Sequence, residues 1–491
     1  MNRKKPAGFA GRMLRHLLSA AIYGLIGLAA GGLIFYIHQA RSRPDLLPWH
    51  LADLEYEFTA EKSAYIDGLD GYLKLEERLF SQLRAQVYDK TAAGDRHRFN
   101  RYSPGSWSDP GRFAVNWNRT FEMPARDPVA GFLLLHGLTD SPYSFRSLAR
   151  SLSARGAWVV GLRIPGHGTA PAALARADRR DFTAAVRMAA RDLAEKIGKD
   201  RPFYIAGYSN GAALALDYTL AVLEGEPLPA PSGLLLISPA VAVTPAAALA
   251  RVNLWLSKIP GLEKLGWLSI EPEYDPFKYN SFPVNAGDQI YRLTRDIDAR
   301  LRRLENGAGI DRFPPVLAFQ SVVDATIPAD ALVDRLLHRL SPNGHALVLF
   351  DVNRKSEIAA FLSDDPRPWI DGLLKQSLPF DLTVITNRGP DTPKVHALQK
   401  KAGQDAVFPE PLALSWPGGV YSLSHVAPPF PPSDPLYGSR QQDGGRPATL
   451  GSLEPRGEKG LLRVGIGDLM RLRYNPFYAY LETRIMDRYF P

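Results

Sequence analysis

A lone serine sits between glycines in "GYSNG", with an apolar run at residues 203–206 before it and an alanine- and leucine-rich stretch at 212–218 after it. The first stretch reads as a buried strand and the second as a helix, so Ser209 tops a strand-to-helix turn. Such a turn strains the backbone at its apex, and Gly207 and Gly211 on either side keep the chain from colliding with itself. A serine hydroxyl is a weak nucleophile until a neighbouring base takes its proton, so this arrangement calls for a histidine and for a group that orients it.

Four histidines follow the serine. His338 lies in the helical pattern "DALVDRLLHRL", His345 opens a strand at the amino end of the expected sheet, and His396 sits in polar chain, "DTPKVHALQKK". His425 lies in "VYSLSHVAPPF", on a loop after the last apolar strand, among apolar and proline neighbours that can hold an imidazole in place. It is the expected base. Asp324 in "FQSVVDATIP", just beyond a strand end, is the expected acid and gives the chain order Ser, Asp, His, with Asp351 at the end of "LVLFD" as its rival. The negative oxygen of a tetrahedral intermediate needs backbone N–H donors. In "LLLHGLTDSPYSF", His136 and Gly137 leave the amide of Leu138 free to face the site, and the amide of Asn210 follows the serine directly. His136 and His167 are expected to be structural. The chain carries no H-E-x-x-H pattern and no phosphate-loop lysine, so neither a metal nor a cofactor is expected.

From residue 128 onward, short Val-, Leu- and Ile-rich runs alternate with helical stretches: "VAGFLLLHG", "AWVVGLRIPGHG", "PFYIAGYS", "GLLLISPA", "PVLAFQSVVD" and "HALVLFD". Runs without polar alternation are what strands buried on both faces look like, so the pattern predicts a mostly parallel α/β sheet with crossover helices. In such sheets the working site lies beyond the carboxyl ends of the strands, where the residues named above fall. Residues 240–312 interrupt the alternation and are expected to form a helical cap. A further helix-strand insert is expected at about 352–420, with its strand at 381–387. Residues 428–457 read as irregular surface chain.

Residues 17–37 are uncharged and rich in Leu, Ile, Ala and Gly, and as a helix they extend about 30 Å, enough to cross a bilayer core. Five basic residues precede this stretch and two follow closely, which places the N-terminus in the cytoplasm and the body outside it. The seven basic residues of positions 1–44 account for nearly all of the net charge of +8, so the charge points to no nucleic-acid partner. The expected organisation is a basic N-terminus at 1–16, a membrane anchor at 17–37, a helical stalk or brace at 38–110 and a catalytic domain at 111–491. With no cysteine, the chain has neither disulfides nor thiolate chemistry.

In content and order, "HGLTDSPYSF", "RIPGHG", "GYSNG" and "SVVDATIP" resemble the oxyanion loop, strand-four loop, nucleophile elbow and acid loop of the α/β-hydrolase superfamily, in its monoglyceride lipase and serine aminopeptidase-like branch. The resemblance covers about residues 128–330. It implies a cofactor-free serine hydrolase acting on carboxylic esters, acyl lipids first, through Ser209, His425 and Asp324. A peptidase of the aminopeptidase type and a non-catalytic binding or scaffold protein of the envelope are the alternatives. The chain departs from the family in spacing, because His425 comes about seventy residues after "HALVLFD".

Overall fold

The computed structural model describes residues 9–92, 98–242, 247–307, 309–359, 361–439, 450–452 and 466–490. Part of the irregular surface chain expected at 428–457 therefore lies outside the described residues. Among the described residues are twelve strands: β1 (Phe121–Met123), β2 (Gly131–Leu135), β3 (Trp158–Leu162), β4 (Phe203–Tyr208), β5 (Gly233–Ile237), β6 (Trp267–Ser269), β7 (Phe282–Pro283), β8 (Val316–Ser321), β9 (Ala346–Phe350), β10 (Asp381–Asn387), β11 (Lys394–Lys400) and β12 (Val407–Ser415). Ten form one sheet in the order β1-β3-β2-β4-β5-β8-β9-β10-β11-β12, and β6 and β7 pair separately. From β3 to β10 neighbouring strands run parallel, while β1, β11 and β12 add antiparallel edges.

Every residue of β2, β5, β8 and β9 is buried, as the unbroken apolar runs require of strands covered on both faces. One face carries the helices Arg179–Ile197, Asn210–Leu223 and Val284–Asn306. The other carries Arg146–Ala154 and the C-terminal helix Tyr478–Tyr489, whose Leu481 and Ile485 are fully buried. This is the α/β-hydrolase fold.

The cap is shorter than the interrupted alternation suggests. Val284–Asn306 buries Ile290, Leu293, Ile297 and Leu301 in the main core beside the helix Asn210–Leu223, so it is the crossover before β8. What remains above the strand ends is the helix Ala247–Leu256, the β6-β7 pair and the irregular chain between them. The 352–420 insert also differs: beyond its helix Arg367–Lys375 and β10 it contributes β11 and β12. His396, expected in polar chain, lies in β11 opposite Thr386, because Val395 and Ala397 alternate with polar residues and turn their side chains inward.

The described residues of 38–110 pack against the body and do not stand free of it. The helix Gly68–Gln86 lays Leu69 and Tyr72 into the main core with Phe58, and the Tyr72 hydroxyl donates to the Arg163 carbonyl at 2.6 Å. Arg163 is itself buried and pairs with Glu57 at 2.7 Å and Glu76 at 2.8 Å. Glu76 in turn accepts from the amide and hydroxyl of Thr120. Burial pushes the Glu76 carboxyl upward, against the pull of Arg163. At the amino end, the helix Phe9–Arg41 carries a 29-residue stretch, Met13–Arg41, that is long and apolar enough to cross a membrane by length and composition.

Candidate active site

Ser209 follows β4 directly and sits at φ 53°, ψ −114°, a left-handed conformation that a non-glycine residue adopts only under constraint. Backbone bonds to the chain after β5 help hold it there: its amide donates to the Ile237 carbonyl at 2.9 Å, and its carbonyl accepts from the Ala240 amide at 3.1 Å. The flanking glycines are steric necessities. A β-carbon at Gly211 would lie 1.8 Å from the Leu135 carbonyl oxygen, and one at Gly207 would lie 2.4 Å from the Ala212 backbone.

His425 arrives on the chain that follows β12. The Ser321 hydroxyl, at the end of β8, donates to the Leu423 carbonyl at 2.9 Å, and the Tyr208 hydroxyl donates to the His425 carbonyl at 3.3 Å. The His425 ring lies 5.7 Å from the Tyr208 ring in a stacked arrangement. Its Nε2 is 3.0 Å from Ser209 Oγ and its Nδ1 is 2.6 Å from Asp324 Oδ2. An ionised carboxylate only accepts, so Nδ1 carries the proton and Nε2 is left to accept from the serine hydroxyl. Asp324 is fixed at its other oxygen, where Oδ1 accepts the amides of Thr326 at 2.8 Å and Ile327 at 2.9 Å. All three side chains are nearly enclosed, with Ser209 9% and His425 6% exposed.

The rival residues are occupied elsewhere. Asp351 pairs with Arg354, accepts from the Thr386 hydroxyl at 2.7 Å and does not contact His425. His345 accepts from the Val316 amide at the amino end of the sheet, and burial pulls it down to about 4. His338 lies 3.5 Å from Asp334 on a partly exposed turn.

Asn210 begins the helix Asn210–Leu223, where the first N–H groups have no partner within the helix. Among the described residues, the Leu138 amide donates to no acceptor. His136 holds the loop carrying Leu138: Nε2 accepts from the Ile164 amide at 3.0 Å, and Nδ1 donates to the Gly137 carbonyl at 2.9 Å. Burial first, and His167 beside it second, hold His136 well below the usual histidine range, so the ring is neutral and serves as a tie. Gly137 is tight as well, since a β-carbon there would meet Asp140 Oδ2 at 2.5 Å.

A clamp on this loop was not apparent in the sequence. The Tyr279 amide donates to the Thr139 carbonyl at 2.8 Å, Lys278 pairs with Asp140 at 2.7 Å, and Phe277 stacks on Tyr143 with ring centroids 4.3 Å apart. The three consecutive residues lie within the "DPFKYNSFPVN" stretch, where no periodicity marks them. Among the described residues, no group of three His, Asp or Glu side chains could hold a metal ion. Chemically, the arrangement offers a hydroxyl whose proton has a place to go.

Residues 126–351 match the family described as serine aminopeptidase, S33. The chain is 27% identical over 204 residues to a thermostable monoacylglycerol lipase of Bacillus sp. (strain H-257), covering 42% of this chain and 74% of that protein. Among solved structures, a monoacylglycerol lipase of Paleococcus ferrophilus is similar at 20% identity and a TM-score of 0.35, covering 47% of this chain and 88% of the other. A soluble variant of monoglyceride lipase from Saccharomyces cerevisiae, in complex with a substrate analog, is similar at 16% identity and a TM-score of 0.36, covering 47% and 81%.

Proposed function

We propose that the protein is a member of the serine aminopeptidase S33-like branch of the α/β-hydrolase superfamily, whose model residues 126–351 match, and that it hydrolyses carboxylic esters through Ser209, His425 and Asp324. The observation that carries the reading is the continuous chain of hydrogen bonds from Asp324 through His425 to Ser209, at 2.6 and 3.0 Å. Ser209 Oγ attacks the ester carbonyl carbon as its proton passes to His425 Nε2, and the carbonyl oxygen takes up the negative charge facing the Leu138 and Asn210 amides. Collapse of the tetrahedral intermediate breaks the bond to the alcohol, which leaves with the proton from Nε2. Water then repeats the sequence on the acyl-enzyme, losing a proton to His425 and releasing the acid and free Ser209.

Acyl lipids are the preferred substrate class. The relative from Bacillus is named a monoacylglycerol lipase, and the apolar N-terminal helix would hold the site beside a bilayer. That helix anchors the chain once, with its basic N-terminus in the cytoplasm and the catalytic body on the opposite side.

The test is fluorophosphonate labelling of the full chain in detergent, beside Ser209→Ala and His425→Ala, followed by nitrophenyl esters of increasing chain length and an aminoacyl anilide. Labelling lost in both variants, with ester turnover in the wild type, supports the reading. Anilide turnover without ester turnover replaces the esterase by a peptidase. A folded wild type that neither labels nor turns over any substrate leaves a binding protein.

A further inference from the structure

The end of the N-terminal helix is bonded to the cap. The Tyr36 hydroxyl donates to Asn253 Oδ1 at 2.6 Å, joining the N-terminal helix to the helix Ala247–Leu256. Just beyond, Arg43 donates to the carbonyls of Trp267 at 2.6 Å and Lys264 at 3.2 Å. Lys264 returns the contact to the Arg43 carbonyl at 2.7 Å and to Asp45 at 2.8 Å.

On the cap side of this joint, Val252 and Trp255 lie three apart on the helix Ala247–Leu256, the spacing that places side chains on one helical face, and Ile259 follows in the turn after the helix ends. That face is bare, with Val252 56% and Trp255 68% exposed, and Leu268 at the end of the joint is also exposed. Residues 247–262 contain no acidic side chain, and the exposed Lys258 lies among them. The same helix packs on Val284–Asn306.

The geometry points to a cap that is strapped to the membrane anchor, with the exposed side chains of Val252, Trp255 and Ile259 seated in the interfacial layer of the bilayer. The depth follows from the helix. Tyr36 lies one residue before the uncharged stretch ends at Ile37 and about 7.5 Å from the helix end at Arg41, at the level where Tyr and Trp collect in membranes. A bond to Tyr36 places Asn253 at that depth, and Trp255 lies within a turn of it. Arg43, Lys258 and Lys264 then fall at the level of the head groups. The site would thus open beside the lipid from which an acyl substrate comes, and the strap would set that distance. This inference rests on the anchor reading.

The chain has no cysteine, so single cysteines give unambiguous labels. Val252→Cys, Trp255→Cys and Ile259→Cys would each be labelled with an environment-sensitive fluorophore in the full chain, reconstituted into phosphatidylcholine and phosphatidylglycerol vesicles. Leu25→Cys reports the span, and Lys199→Cys, exposed before β4 at the amino end of the sheet, reports water. The expected result is a blue shift at 252, 255 and 259, with emission lost to lipids bearing a nitroxide near the head group, and no change at 199. Quenching at Leu25 by deep nitroxides, with water-like emission at all three cap positions, overturns the strap and leaves the anchor standing. Water-like emission at Leu25 as well removes the anchor, and the strap with it.

Discussion

Replacing Asp324 by asparagine changes one atom and should nearly abolish turnover, for a reason fixed by the hydrogen bonds around it. Oδ1 accepts two backbone amides, at 2.8 and 2.9 Å, so the carboxamide oxygen must take that corner. The new NH₂ group then faces His425 Nδ1 where Oδ2 stood at 2.6 Å. Nδ1 must become the acceptor, which moves the imidazole proton to Nε2, 3.0 Å from Ser209 Oγ. A protonated Nε2 cannot receive the serine proton. Turning the amide over instead would set its NH₂ against two N–H donors. Gln320, whose Nε2 donates to Asp324 Oδ2 at 3.2 Å, gives little relief, because that Nε2 also donates to the Ile327 carbonyl at 2.9 Å, and presenting its buried, unpartnered Oε1 to the new amide would forfeit that bond. The same change in a serine-protease triad lowers kcat by about 10⁴-fold. Here too kcat should fall by about 10⁴, or roughly 5 kcal/mol of transition-state stabilisation, with KM changing far less. Nitrophenyl ester kinetics at neutral pH measure it, with circular dichroism to show that the variant is folded. A folded Asp324→Asn enzyme retaining kcat within tenfold of wild type would refute the tautomer argument and reopen the choice of acid.

Gly211→Ala should abolish fluorophosphonate labelling and lower Tm, since its β-carbon would press on the Leu135 carbonyl in the adjacent strand; unchanged Tm and labelling would mean that the elbow relaxes freely. Arg163→Ala leaves Glu57 and the buried Glu76 without their cation, and breaking such a pair typically costs about 3–5 kcal/mol, read as a lower urea midpoint; a midpoint at the wild-type value would show that the brace does not depend on this pair. His50, buried with its ring against Trp267, is pulled down to about 4, so its imidazole should titrate near there by NMR. Because the unfolded chain takes up that proton first, the stability tied to neutral His50 is intact above about 6.5 and is lost as pH falls towards 4. Glu273, pushed up to about 7 by burial, acts with the opposite sign, since native protein takes up its proton first and gains stability as pH falls from 7 towards the ordinary glutamate range. A His50 titration near 6.5 would contradict the burial argument.

The strands and the serine turn were legible because their physics is local. A run such as "GFLLL" can be satisfied only by burial on both faces, and a glycine two residues from a strained serine leaves its mark in five letters. The clamp made by Phe277, Lys278 and Tyr279 left no such mark, because each contact joins residues more than a hundred positions apart. His425 is the instructive case. Its distance from "HALVLFD" argued against it only if chain length measured separation in space. The intervening chain does not lead away from the site: β10 pairs with β9, and β11 and β12 extend the sheet's edge. The chain then comes back across the strand ends, where the Ser321 hydroxyl takes the Leu423 carbonyl two residues before the histidine. An antiparallel pair of strands added at an edge returns the chain to the end of the sheet from which it left, so such an insertion can lengthen the path to a residue beside Ser209 without moving it. The residue type and its apolar, proline-rich loop could therefore be read from the sequence, whereas the return path required the fold.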